Sequence, residues 1–112
     1  MLDKRKFYIN GKWVSPSKPN DLDVIDPCTE ESVAVISLGS KEDTNAAVFA
    51  AKTAFESWKE SSKEERVALL EKLLAIYKKR YSEMVDAISL EMGAPADWSK
   101  DVQTASGQSH LE

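Results

Sequence analysis

Few residues in this chain of 112 are of types that do chemistry, and their spacing limits what each could do. Cys28 is the single cysteine and His110 the single histidine. A thiolate nucleophile needs a base beside it, and these two stand far apart in the sequence. Cys28 follows Pro27 in a turn pattern, "DPCTEES", and reads as an inert turn residue. His110 stands alone and reads as a surface or partner-facing residue. Zinc takes three or four His, Cys or carboxylate ligands, and no such spacing occurs. The adjacent carboxylates Glu64 and Glu65 open a helical pattern, where they complement the helix dipole rather than form an acid–base pair. Gly11, Gly39, Gly93 and Gly107, all the glycines there are, lie too far apart to form a phosphate-cradling loop. One charge is out of place. Glu91, in "SLEMGAP", stands in the last turn of a long helical pattern, where the dipole favours cations. Either water solvates it or a cation meets it.

The composition bounds the setting. Hydrophobic residues make up 42% and charged residues 30%, ordinary for a soluble globular protein, and the length suits one domain. A net charge of −4 gives no basic footprint for nucleic acid. Basic residues do cluster in "DKRKF" and in "YKKRY", the second on a helical pattern that reads as a solvated face. No run approaches the ~20 apolar residues that span a bilayer, so no membrane partner is expected. The charged N-terminus lacks a following apolar region, so it does not read as a secretory signal. A single cysteine excludes an internal disulfide. A cytoplasmic setting is expected.

The elements that must position these residues are legible in outline. "FYINGKWV" reads as a hairpin over about 7–14, because Asn-Gly suits a two-residue type I′ turn. Two prolines between Ser15 and Asn20 mark a loop. "LDVID" alternates apolar and polar residues, Pro27 ends it, and "SVAVISL" follows, giving a second hairpin over about 22–38. Both faces of the latter strand are apolar, so it should be covered on both sides. Ser40 with Asp43 makes an imperfect capping box for a helix over about 41–59, and Ser62 with Glu65 a full one for a helix over about 63–92. The apolar face of this second helix, from Val67 through Leu70, Leu74, Tyr77, Tyr81, Val85 and Ile88 to Met92, runs for roughly 30 residues, about 45 Å. Gly93 and Pro95 stop it. A weaker helix is expected over about 96–106. It is diluted by Gly107, Gln108 and Ser109, and no breaker precedes Glu112, which reads as part of a longer chain. The fold class read from these patterns is α+β: two N-terminal hairpins, then two or three helices.

The order of these pieces carries more than any one of them. "FYINGKWV", "DVIDPCTEESVAVISLGS", "NAAVFAAKTAFESWKESSKEERVALLEKL" and "ISLEMGAP", in that sequence, resemble the N-terminal segment of the NAD(P)-dependent aldehyde dehydrogenase superfamily. The resemblance runs from about Phe7 to about Pro95, with weaker support to Glu112. It implies that the chain forms the N-terminal part of the α/β coenzyme-binding domain of a longer enzyme. That enzyme would oxidise an aldehyde to a carboxylic acid through a cysteine thiolate, with NAD or NADP taking the hydride. The catalytic and coenzyme-binding residues would lie beyond Glu112, which agrees with their absence here, and Cys28 does not match the family nucleophile. The remainder of the enzyme chain is the implied partner, and a homo-oligomer the implied assembly. The sequence departs from the family pattern at Asp26, where Asn is frequent, and at Ala94, where Lys is frequent. The resemblance also answers the question about Glu91. It implies an alkali cation, K+ or Na+, held by the main chain of Ile25, with Asp26, and by Glu91. The alternative is a non-enzymatic helical binding module, suggested by the long amphipathic helix and its "YKKRY" patch.

Overall fold

The computed structural model describes all residues, Met1–Glu112. Strands come first and helices follow, an α+β arrangement. The chain forms two compact units, Met1–Ile25 with Glu31–Glu60 and Asp26–Glu30 with Ser61–Glu112.

In the first unit, β1 (Leu2–Lys4), β2 (Phe7–Ile9), β3 (Lys12–Val14), β4 (Asp21–Ile25) and β5 (Ser32–Ser37) precede α1 (Lys41–Trp58). β2 and β3 pair antiparallel with Tyr8 opposite Trp13. Asn10 (φ 51°) and Gly11 (φ 73°) supply the positive φ angles that the turn needs. The second hairpin, β4 with β5, gains a strand: β1 lies parallel to β5, so β5 is the centre of a three-stranded sheet ordered β1-β5-β4. The charged "DKRK" run hides this strand from a pattern reading. Because β5 is central, Ala34, Val35 and Ser37 are all buried, on both faces of the strand. The ladder extends past its end through Leu38 N–H to the Asn20 carbonyl at 2.7 Å.

α1 begins on a complete capping box. Ser40 Oγ accepts from Asp43 N–H at 3.2 Å, and Asp43 Oδ2 accepts from Ser40 N–H at 2.9 Å. Aspartate therefore does here what the longer glutamate usually does. Its other oxygen accepts from Ser17 N–H at 2.8 Å, and the hydroxyls of Ser17 and Ser40 lie 2.7 Å apart. One buried carboxylate thus ties the proline loop to the start of the helix.

In the second unit, the helix expected over 63–92 is two helices, α2 (Lys63–Lys79) and α3 (Tyr81–Met92), broken at Arg80 (φ −102°, ψ 18°). No glycine or proline marks the break. Lys78 and Lys79 sit where the dipole of α2 favours cations, and the apolar pattern runs on through the junction, so the sequence reads as one helix. The helix expected over 96–106 is longer and less regular: α4 (Ala96–Trp98), a π-helical segment (Ser99–Thr104) and α5 (Ala105–Leu111) run in succession. Two tyrosines of α2 and α3 bond to it. Tyr77 donates to the Thr104 carbonyl at 2.9 Å, and Tyr81 donates to the Lys100 carbonyl.

The cap at Asp43 has a testable pH consequence. The N–H groups of Ser40 and then Ser17 hold its carboxyl below the usual carboxylate range. A depressed native pKa contributes stability that is present above the unfolded value, near 4, and is lost as pH falls through the native value. Asp43→Asn should therefore lower the unfolding temperature at neutral pH and give a shallower acid decline than the parent chain. Ser40→Ala should cost about 1 kcal/mol and leave the shape of that decline largely intact. Thermal unfolding monitored by circular dichroism from pH 7 to pH 3 checks both.

Candidate functional site

The residues singled out by the sequence fall at two places. Ile25 closes β4 in the first unit, with its side chain exposed. Asp26 and Glu91 belong to the second unit. Asp26 opens a tight turn: its Oδ1 accepts from Cys28 N–H at 2.8 Å, and its carbonyl accepts from Glu30 N–H at 2.8 Å. Glu30 completes the turn at φ 59°. This turn packs against the end of α3. Gly93, two residues beyond Glu91, caps the helix in the left-handed conformation at φ 65°, with its N–H on the Ser89 carbonyl. An ideal Cβ placed on Gly93 would fall 2.6 Å from Pro27 Cγ and 3.2 Å from Cys28 Sγ. The turn that carries Asp26 and the helix end that carries Glu91 therefore meet, and only glycine fits where they do.

The donors here suit a hard monovalent ion in kind. Glu91 is exposed, and the final carbonyls of a helix lack intrahelical partners. Asp26 contributes a carboxylate at the same turn. All are oxygen ligands, the type hard cations take. No cluster of three or more His, Cys, Asp or Glu side chains forms anywhere in the chain, so a site for a transition metal has no ligand set.

The nucleophile–base question has a geometric answer. His110 Nδ1 lies 2.7 Å from the Ser106 carbonyl, one helical turn back, so the ring is engaged locally. Cys28 is exposed, with its sulfur 4.0 Å from the Gly93 carbonyl. Its sulfur thus faces a backbone carbonyl, while the one histidine is engaged within its own helix.

The basic N-terminal run contributes to an open pocket of about 850 Å³ in the first unit, lined among others by Lys4, Arg5, Lys6, Trp13 and Asp21. Arg5 is committed within it, bonding Asp3 at 2.7 Å and Asp21 at 3.2 Å. The hydrogen bonds from the Arg5 side chain, then from its backbone N–H, bring the Asp3 carboxyl down to about 2. Exposed pairs of this kind add little stability. Their work is to hold β1 and β4, the two outer strands, at one end of the sheet. The carboxylates that line the pocket, Asp3 and Asp21, are both paired with Arg5.

What the chain offers most plainly is unburied apolar surface. α2 has no buried residue, and Val67, Leu69, Leu70, Leu73 and Ile76 are all exposed. On α1, Phe49 is 74% and Phe55 56% exposed. Val67, Leu70 and Leu73 belong to the apolar face that helical spacing marks on α2, and the structure leaves them uncovered; Leu69, Ile76 and Phe49 add apolar surface outside that spacing. On each helix taken by itself, exposed apolar side chains of this size are candidates for a docking surface.

Comparison with known proteins gives this surface a context. Residues 13–111 match the aldehyde dehydrogenase family. A 3-succinoylsemialdehyde-pyridine dehydrogenase of a Pseudomonas species is 40% identical over 99% of this chain, and the chain spans 24% of that relative's length. The crystal structure of an aldehyde dehydrogenase from Bartonella henselae superposes with a TM-score of 0.98 at 58% identity, covering 99% of this chain and 23% of that one. Aldehyde dehydrogenase C of Pseudomonas syringae, solved with NAD+ and octanal, gives a TM-score of 0.93 at 37% identity over 96% of this chain and 22% of that one. The chain thus spans about a quarter of the length of the relatives it matches.

The contact at the end of α3 makes a specific prediction. Gly93→Ala imposes both a left-handed backbone and a clash with Pro27, whereas Gly11→Ala imposes the backbone alone, because nothing lies within 4 Å of its added Cβ. Gly11→Ala should cost about 1 kcal/mol, and Gly93→Ala about 2 kcal/mol or more. Urea unfolding of the two variants beside the parent measures the difference. Equal costs would mean that the Asp26–Glu30 turn is not seated on Gly93.

Proposed function

Because the chain belongs to the aldehyde dehydrogenase family, we propose that it is the N-terminal scaffold segment of an enzyme that oxidises an aldehyde to a carboxylic acid with NAD+ or NADP+. The observation that carries this reading is the uncovered apolar faces of α1 and α2, in a chain that superposes closely on about a quarter of a complete enzyme. Such faces need a partner of the size that the remainder of an aldehyde dehydrogenase would supply. Assembly of the complete enzyme as a homo-oligomer, and a cytoplasmic setting, belong to the same proposal. The rival reading, a stand-alone docking module, shares the exposed faces. It gives no reason for strands, turn and helix ends to match an oxidoreductase over nearly their whole length.

In this reading the chain's own residues contribute shape rather than chemistry. The NAD+ in the Pseudomonas syringae structure supports a dinucleotide as hydride acceptor for the complete enzyme. The glycines of this chain do not make a pyrophosphate cradle, since each stands alone, so the coenzyme contacts are assigned to the remainder of the protein. The nucleophile is assigned there too, since Cys28 does not match the family nucleophile. For the alkali ion, Ile25, Asp26 and Glu91 supply oxygen donors of the right kind. K+ or Na+ held there would neutralise Glu91 where the helix dipole opposes its charge.

Two measurements test these assignments. The purified chain, given NAD+ or NADP+ and a panel of aldehydes, should form no reduced coenzyme, and Cys28→Ala should leave that background unchanged. Turnover that disappears with Cys28→Ala would overturn the scaffold reading. In the complete enzyme, an ion that binds only the native state raises stability with its concentration. The unfolding temperature should therefore rise in K+ or Na+ relative to a bulky organic cation at equal ionic strength. In Glu91→Gln the rise should shrink, and in Ile25→Val it should persist, because the isoleucine's part is a main-chain oxygen. Identical responses of the parent enzyme and Glu91→Gln to all three cations would show Glu91 to be a solvated charge.

A further inference from the structure

Six consecutive residues in π-helical form, Ser99–Thr104, need an explanation, since the π-helix is rare and is usually a single-turn insertion in an α-helix. The local sequence "SKDVQT" does not supply one, having neither glycine nor proline. The explanation lies across the second unit, on α2 and α3. Tyr77 and Tyr81 stand four residues apart, and their hydroxyls donate to carbonyls four residues apart in the opposite direction, Thr104 and Lys100. They are two rungs between antiparallel helices. The rings meet edge-on, with centroids 6.2 Å apart. We propose that this pair of phenols selects the π register of residues 99–104 over the α register, and so determines which face the final helix presents.

The selection works in two ways. First, each phenol rewards the π register with a hydrogen bond to a carbonyl that this register places within reach. Second, the Tyr77 oxygen penalises the alternative. Gly107 lies against Tyr77 so closely that a Cβ there would fall 2.5 Å from the hydroxyl oxygen and 3.1 Å from the carbon that bears it. An α register takes up one residue fewer over the same length, which turns everything downstream by about 100° and brings Ser106 to the place of Gly107. Ser106 has a Cβ, so it cannot take that place while the phenol oxygen is there. Removing that single oxygen removes the Tyr77 reward and the closest part of the penalty, leaving the Tyr81 bond in place. The register also governs the end of the chain, where Glu112 reaches Lys78 at 2.8 Å. Burial, then the charge of Asp101 and the neighbouring Tyr77, raise the Tyr81 pKa above its ordinary value, so this group remains a donor throughout the neutral range.

The test is a thermodynamic cycle on the full chain. Gly107→Ala in the parent should lower the urea midpoint, because the new methyl meets the Tyr77 oxygen. In a Tyr77→Phe background the same substitution should leave the midpoint unchanged or raise it, because the oxygen is gone and alanine is the better helix former. An equal loss in both backgrounds would overturn the proposal. A second readout follows the register itself. In the parent, proton NMR should show cross-relaxation between the ring of residue 77 and the α-protons of Gly107. In Tyr77→Phe and Tyr77→Phe/Tyr81→Phe that contact should pass to Ser106. Were it to stay at Gly107 in both variants, the phenols would be ornaments of a register fixed by something else.

Discussion

Ala34 and Val35 are the only apolar residues the chain buries, and even they keep 8% and 9% exposure; most other features follow from that shortage. Hydrophobic stabilisation grows with apolar area buried, roughly 25 cal/mol per Å². A chain that buries little must fix its geometry by other means. It also retains a strong drive to cover what it leaves exposed, and that drive is the physical content of a scaffold role. The faces of α1 and α2 are not a failure of the fold. On the proposed reading they are the surface that the remainder of a longer chain would cover.

The other means are polar staples set where the backbone would otherwise lack partners. Asp43 serves the Ser40 and Ser17 N–H groups together. Asp26 serves Cys28. Glu65 closes the start of α2 by bonding Ser62 N–H at 2.8 Å. The phenols of Tyr77 and Tyr81 serve carbonyls of the π-helical segment. Each joins residues that a local pattern places near an element end, so direction and register are fixed at the boundaries rather than in a core. This makes the structure sensitive to single-atom changes at the staples and tolerant along the exposed faces.

The sequence disclosed the parts whose signals are local. Asn10-Gly11 marked the first hairpin, Ser62 with Glu65 the start of α2, and Gly93 with Pro95 the end of α3, because each is a backbone requirement met by neighbouring residues. Signals that depend on distant partners were not legible. β1 exists because β5 accepts a second neighbour, which no feature of "LDK" announces. The break at Arg80 interrupts an unbroken apolar period. The π-helical segment is dictated by tyrosines about twenty residues earlier in the chain. For the site, the sequence identified Glu91 as a charge in an unfavourable position, and the structure adds that the Asp26 turn is seated beside that helix end. The close fit at Gly93 could have been suspected from its place at a helix end, but its neighbour Pro27 could not.

The parallel pairing of β1 with β5 has a consequence for synthesis. β1 has no partner in the hairpin that follows it in the sequence. Leu2 must wait for Ala34, which emerges only after two turns, a proline loop and β4 have passed, and closing a loop of that length costs entropy before any contact repays it. During that interval β1 is a short, charged, unpaired strand. The lysines and arginine of "DKRK" suit that waiting state, because charge on an unpaired edge discourages it from pairing with a strand of another nascent chain. The run that looked least like structure thus protects the structure while it is being made.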